Sequence, residues 1–141
     1  MTSDQAVQIA DLINARNELT VSYDRDRVLA RAGDFEFEER HREVIGCVER
    51  RPVQWYQWEV CHLAVRQECV GKGVAYALYQ RAVAHAAHEG ARVLQCTIRE
   101  GNIDSERFFT RQGFAKAARF VNQDSGNIVG VWLKSLAEPT A

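Results

Sequence analysis

At 141 residues the chain has the length of one domain, and 46% hydrophobic with 26% charged residues is the balance of a globular protein, which excludes a disordered or a membrane-embedded chain. A net charge of -1 gives no global electrostatic case for a nucleic-acid or anionic-membrane partner. No apolar run approaches the roughly 20 residues that span a bilayer, and the N-terminus lacks a basic flank followed by an apolar stretch, so a cytoplasmic location is the expectation.

Residues 4 to 17 place Ala6, Ile9, Ala10 and Ile13 on one helical face, with Ser3 or Asp4 as the expected N-cap. "DRDRVLARAG" predicts a short second helix ended by Gly33. The period then changes to two. "FEFEER" (35 to 40) alternates apolar and charged residues, and "EVIGCVER" (43 to 50) and "YQWEVCHLAV" (56 to 65) are richer in β-branched and aromatic residues. Short gaps between these runs predict antiparallel neighbours. A polar loop leads into "GKGVAYALYQRAVAHAAHEG", where Ala75, Leu78, Tyr79, Ala82, Val83 and Ala86 trace a helical stripe and Gly90 supplies the stop. "RVLQCTI" (92 to 98) is a strand, and strand, helix, strand at this length predicts a right-handed parallel crossover. Residues 104 to 112 read as another helix ended by Gly113, and "FAKAARFVN" with "NIVGVWLKSL" reads as a hairpin around "QDSG". The order predicts one α/β domain over 1-141. It is a mixed, mostly antiparallel sheet of about six to seven strands flanked by about four helices. One parallel junction opens a crevice just before "VGKGVA". Cys47, Cys61, Cys69 and Cys96 are expected to be reduced and mostly buried, and with neither CxxC nor HExxH present no metal site is expected.

"VGKGVA" (70 to 75) joins a strand end to a helix N-terminus through two glycines. The first turn of a helix leaves backbone N-H groups unpartnered and its dipole favours anions, so the loop suits a phosphate, with Lys72 adding a positive charge. Alone, such a GxG is a weak signal, and the bland reading is that Gly71 and Gly73 merely turn the chain. It is neither a Walker loop nor a dinucleotide-binding fingerprint. Together with "NIDSERFFTRQGF" (102 to 114), however, it resembles the GCN5-related N-acetyltransferase (GNAT) superfamily. The family's pyrophosphate loop, Q/R-x-x-G-x-G/A, matches Val70, Gly71, Lys72, Gly73, Val74 and Ala75, with Val70 in place of Gln or Arg. Its N-x-x-(A/S)-x-x-x-Y-x-x-x-G-F pattern matches Asn102, Ser105, Gly113 and Phe114, with Phe109 in place of Tyr. "EVCHLAV" (59 to 65) resembles the central strand, and Glu59 falls where the histone acetyltransferase branch keeps a glutamate base.

The resemblance implies an acetyl-CoA-binding core over 43-134 and a variable, helical acceptor part over 1-42. It further implies an enzyme that moves an acetyl group from acetyl-CoA to a primary amine of a small molecule or protein by direct attack. The implied cofactor contacts are Leu63, Ala64, Val65, Val70 to Ala75, Asn102, Ser105, Phe108 and Phe109, with the Leu63 and Val65 backbone stabilising the oxyanion. Glu59 is the expected base, since an alkylamine with a pKa near ~10 is protonated at neutral pH. An apolar run such as "WEVCHLAV" hosts a Glu only at a cost unless it has a partner or a role. By two-residue alternation His62 lies on the face opposite Glu59 and reads as a core or interface histidine, while Cys61 shares the face of Glu59. Acetyl-Cys61 would be a covalent alternative, but the sequence shows no His partner for it. The family Tyr protonates the departing sulfur, so Phe109 implies slower transfer with water, Tyr76 or Tyr79 as donor. Val70 and Phe109 also fit a rival: a weak or inactive acyl-CoA-binding module. Asn102 is either a pantetheine contact or a helix cap. Trp55, Trp58 and Trp132 either shape the acceptor pocket or belong to core or interface. Family members often pair through a sheet edge, which makes a homodimer through the terminal strand one expectation.

Overall fold

The computed structural model describes residues 1-16 and 22-136. The expected end of the first helix at residue 17 and the start of the mixed segment after it lie outside these. The sheet has six strands in the order β1-β2-β3-β4-β6-β5, with the parallel junction between β3 and β4. By internal contacts the chain divides into two compact units, one of Met1-Arg51 and Val60-His85, the other of Pro52-Glu59 and the residues from Ala86 on.

In the first unit α1 (Ser3-Arg16) buries the expected stripe of Ala6, Ile9, Ala10 and Ile13. Its cap is Thr2 rather than Ser3 or Asp4: the Thr2 hydroxyl accepts from Gln5 N at 3.1 Å while Gln5 Oε1 accepts from Thr2 N at 2.8 Å. That reciprocal pair is a capping box, and it recruits the residue three before the glutamine. Asp24 caps α2 (Arg25-Ala30) by accepting from Arg27 N at 2.8 Å. Gly33 does not end that helix. Arg31 does, by turning its N-H back to Val28, and Gly33 lies in the following 3-10 turn.

β1 (Phe35-Arg40) joins β2 (Glu43-Gln54) through His41 and Arg42, both with positive φ, as a two-residue hairpin matched to strand twist requires. β2 runs four residues beyond its expected end, because the second hairpin turn is only Trp55-Tyr56 and the ladder to β3 (Gln57-Val65) continues up to it. Cys47, Val44 and Ala64 pack with α1, α2 and Phe35, whereas Ile45, Val48, Val60, Val65 and Leu63 pack with Val74, Leu78 and Ala82 of α3 (Val74-His88). Gly46 permits the close approach of α3, since a Cβ there would come within 2.9 Å of Leu78 and 3.0 Å of Val74.

In the second unit, Gln57, Trp58 and Glu59 of β3 pair in parallel with Val93, Leu94 and Gln95 of β4 (Val93-Arg99). β4 pairs antiparallel with β6 (Ile128-Ser135), which carries β5 (Ala115-Val121) on its other side. Between β4 and β5 lies α4 (Ile103-Arg111), whose buried Phe109 meets Phe108 and Phe114 edge-on, with ring centroids 5.2 Å apart in each pair. Edge-to-face aromatic packing of this kind adds to simple area burial and fixes ring orientation.

Candidate functional site

The segment from β3 to α3 carries the glycine loop. Arg66 anchors its start: its N-H donates to Ile45 O at 2.8 Å and its Nε to Val44 O at 3.0 Å. Its remaining charge faces Glu43 and Glu68, each at 3.6 Å. Val70 is half exposed, Lys72 is exposed, and Gly71 and Gly73 adopt φ of 83° and 80°. A Cβ at either glycine would meet nothing within 4 Å. Backbone conformation, not crowding, therefore demands glycine at both positions. The loop delivers the chain into a 15-residue helix whose dipole is positive at this end. Beside it lies a shallow cavity of about 250 Å³ where Arg40, Lys72 and Arg81 outnumber Glu38. Arg81 is held there by Glu36 at 2.8 Å and Glu38 at 3.4 Å.

In the other unit, Asn102 caps α4 and accepts from Ser105 N at 3.4 Å. Its side-chain oxygen is thus used within the helix. Ser105 and Phe108 are half-buried and Phe109 is 7% exposed. In the first unit, Tyr76 is exposed, its hydroxyl receiving Gln80 Nε2 at 2.9 Å, while Tyr79 is buried. Glu59 is half-buried in the paired part of β3, opposite Gln95, and its charge helps to raise the buried Cys96 thiol, for which burial is the main cause. Burial likewise pushes the Cys47 thiol up to about 12, so neither cysteine offers a thiolate near neutral pH. All four cysteines are free. Trp55 is fully exposed at its hairpin turn and Trp132 is buried in β6.

The largest departure from the sequence reading is at His62. Its φ is 51°, and unlike His41 and Arg42 it lies inside a strand rather than a turn. The alternation expected along β3 breaks there. Val60 and Leu63, three apart, pack into the same α3-side cluster, while donor atoms of Cys61 and His62 lie together within 4.8 Å of each other and of the Glu49 carboxylate. His62 therefore does not take the face that strict alternation gave it.

Glu49 is fully buried. Its Oε2 lies 3.1 Å from His62 Nδ1, and its Oε1 faces Arg31 at 3.4 Å and Arg51 at 3.6 Å. Burial alone would raise its pKa. The His62 hydrogen bond and the charges of His62, Arg51 and Arg31 outweigh burial and hold the carboxyl below its usual range. The Tyr23 hydroxyl sits 3.4 Å from His62 Nδ1 with the rings edge-on, 4.7 Å apart, and Arg27 lies 4.6 Å over the Tyr23 ring. Burial, then the charges of Glu49 and Cys61, raise the Tyr23 pKa, so the phenol stays protonated. Glu49, Cys61 and His62 offer oxygen, sulfur and nitrogen donors, yet two guanidinium groups already occupy the carboxylate and repel a further cation. Sequence reading missed Glu49. Counting outward from the two-residue turn sets Glu49 opposite His62, but only once the turn's length is known.

A six-stranded mixed sheet with one parallel junction and four helices is the fold of several solved acetyltransferase structures. Ard1 from Thermoplasma volcanium superposes with a TM-score of 0.84 at 17% identity, over 98% of this chain and 95% of that one. yncA from Salmonella typhimurium, solved with its cofactor acetyl-CoA, gives 0.80 at 20% identity over 100% and 94%. The ribosomal-protein-alanine N-acetyltransferase from Brucella melitensis gives 0.76 at 20% identity over 96% and 97%. At such identities the likeness is one of fold. Family membership comes from the sequence itself: residues 7-114 match the model of the acetyltransferase (GNAT) family, and the chain belongs to that family. No curated protein matches the chain by sequence.

Proposed function

We propose that this protein is an acetyltransferase that moves an acetyl group from acetyl-CoA to a primary amine by direct attack. The observation that carries the reading is the Gly71-Gly73 loop, held open by two positive-φ glycines at the start of α3 in a chain of the GNAT family. Unpartnered N-H groups at a helix start, without side chains in front of them, suit a pyrophosphate. The acetyl-CoA held by yncA, a protein of the same fold, supports this choice of cofactor.

In this reading residues 70 to 75 bind the pyrophosphate, and the backbone of Leu63, Ala64 and Val65 receives the pantetheine and the developing oxyanion. Asn102, Ser105, Phe108 and Phe109 serve the pantetheine and thiol end. With its oxygen used as a cap, Asn102 would contribute its amide N-H groups. Two groups on β3 suit the base: Glu59, and His62 with its Glu49 partner. The acceptor is an amine of a small molecule or of a protein, and the ribosomal-protein enzyme among the similar folds makes a protein α-amine a sensible first substrate.

The test is release of free CoA thiol from acetyl-CoA across a panel of amines and N-terminal peptides. Turnover with at least one acceptor is the expected result. Tight CoA binding with no turnover on any acceptor would instead favour an acyl-CoA-binding module, the reading to which Val70 and Phe109 point.

A further inference from the structure

Glu49, His62, Tyr23 and the strained backbone under them are unexplained by cofactor binding. Each is expensive. A non-glycine residue in the left-handed region costs about 1-2 kcal/mol. A buried, arginine-compensated carboxylate is commonly no more stable than apolar residues of the same volume. Strain on β3 and a buried charge facing it from β2 point to a task at this place.

The hydrogen-bond bookkeeping defines what the ring can do. An ionised carboxylate only accepts, so the Nδ1 that faces Glu49 Oε2 at 3.1 Å carries the proton. In its neutral form the ring then presents Nε2 as a lone pair. The Glu49 carboxylate and the Tyr23 phenol oxygen both meet Nδ1, the phenol as the longer contact at 3.4 Å, and the side chain keeps 14% of its surface open. His62 also lies on the strand that feeds the glycine loop, three residues before its end. The charged and titratable groups around it are Tyr23 with Arg27 over its ring, Arg31 at the end of α2, Glu49 and Arg51 on β2, and neighbouring Cys61.

We propose that His62, oriented by Glu49, is the proton acceptor for the attacking amine, in place of Glu59. This rests on the transferase reading. The amine nitrogen forms a bond to the thioester carbonyl carbon, the carbon-sulfur bond breaks, and CoA leaves with the electron pair as thiolate. The proton lost by the amine passes to His62 Nε2, directly or through one water, and from there to the thiolate or solvent. His62 is the catalytic residue; Glu49 is a positioning residue.

The backbone supplies a clean variant. His62→Gly adopts a φ of 51° without strain and leaves space for one imidazole. Expected is a loss of about 10²-fold or more in kcat/KM, disappearance of the acid limb of the pH-rate profile, and partial recovery on adding free imidazole. Glu49→Gln keeps the limb and lowers kcat more than it raises KM, because the ring keeps its accepting nitrogen and loses the carboxylate that orients it. His62→Asn, which tolerates the left-handed region, replaces the glycine variant if the latter does not fold, and a thermal melt decides this. An active wild type whose rate and acid limb survive at His62→Gly overturns the assignment alone, as does loss of the limb at Glu59→Gln with His62→Gly retaining it. A rate loss that imidazole does not repair, with the limb still present, also overturns it. A wild type that releases no thiol with any amine overturns the transferase reading and this role together.

Discussion

At the scale of the residue, Phe109 and His62 show opposite ways in which a side chain departs from expectation. Phe109 keeps the aromatic ring of the family pattern and lacks the oxygen, and the structure gives that ring a structural duty between Phe108 and Phe114. A thiol with a pKa near ~8.5 already leaves tolerably as thiolate, so under the proposed transferase reading the missing phenol slows transfer without abolishing it. Phe109→Tyr is therefore expected to raise kcat several-fold and to add an alkaline limb to its pH profile, read by thiol release. An unchanged rate and profile would mean that the hydroxyl has no role in this protein. His62 could not be read in the same way. Its identity was visible, but its direction depends on one φ angle that no periodicity reports. The alternation rule assumes regular strand angles throughout, and the left-handed φ of His62 interrupts the alternation within β3.

At the scale of the element, the helices and strands were legible because each repeats its own period against a buried face. The burial stripe of α1 and the start of β1 appear where the pattern put them. Ends were less legible, since they depend on partners: Thr2 caps α1 through Gln5, and β2 extends to Gln54 because a two-residue turn keeps the ladder going. The loop entering α3 is the element proposed to hold the cofactor, and its two glycines are required by conformation alone. Replacing Gly73 by Ala confronts a φ of 80° that costs an L-residue about 1-2 kcal/mol, which the exposed loop relieves by changing shape. CoA affinity should fall roughly 5- to 30-fold, by calorimetric titration, while the melting temperature changes by only a few degrees. Unaltered affinity would remove the loop from the cofactor site. By contrast Gly46→Ala meets Leu78, Val74 and the Ala64 carbonyl, and should destabilise by about 1-3 kcal/mol in urea unfolding without a specific effect on CoA.

At the scale of the whole molecule, the buried Glu49 ties global stability to pH. Its folded-state pKa lies below the unfolded value of about 4.3, so its ionisation favours the fold above that value, and this contribution is lost as pH falls further through the folded pKa. The melting temperature of the wild type should thus drop more steeply between about pH 5 and pH 3 than that of Glu49→Gln, with the two curves converging in acid. A difference independent of pH would show that Glu49 is not ionised in the fold. No described helix is long and apolar enough to cross a membrane. The chain by itself determined the order of elements, the parallel crossover, the glycine loop before α3 and the Asn102 to Phe114 pattern, because all four are written in local spacing and residue type. Only the tertiary structure decided that Glu49 is buried, that it faces His62 from across a hairpin, and that Cys61 and His62 share a side of β3. Those facts arise from strand register and from one left-handed backbone angle, which packing sets and local sequence does not encode.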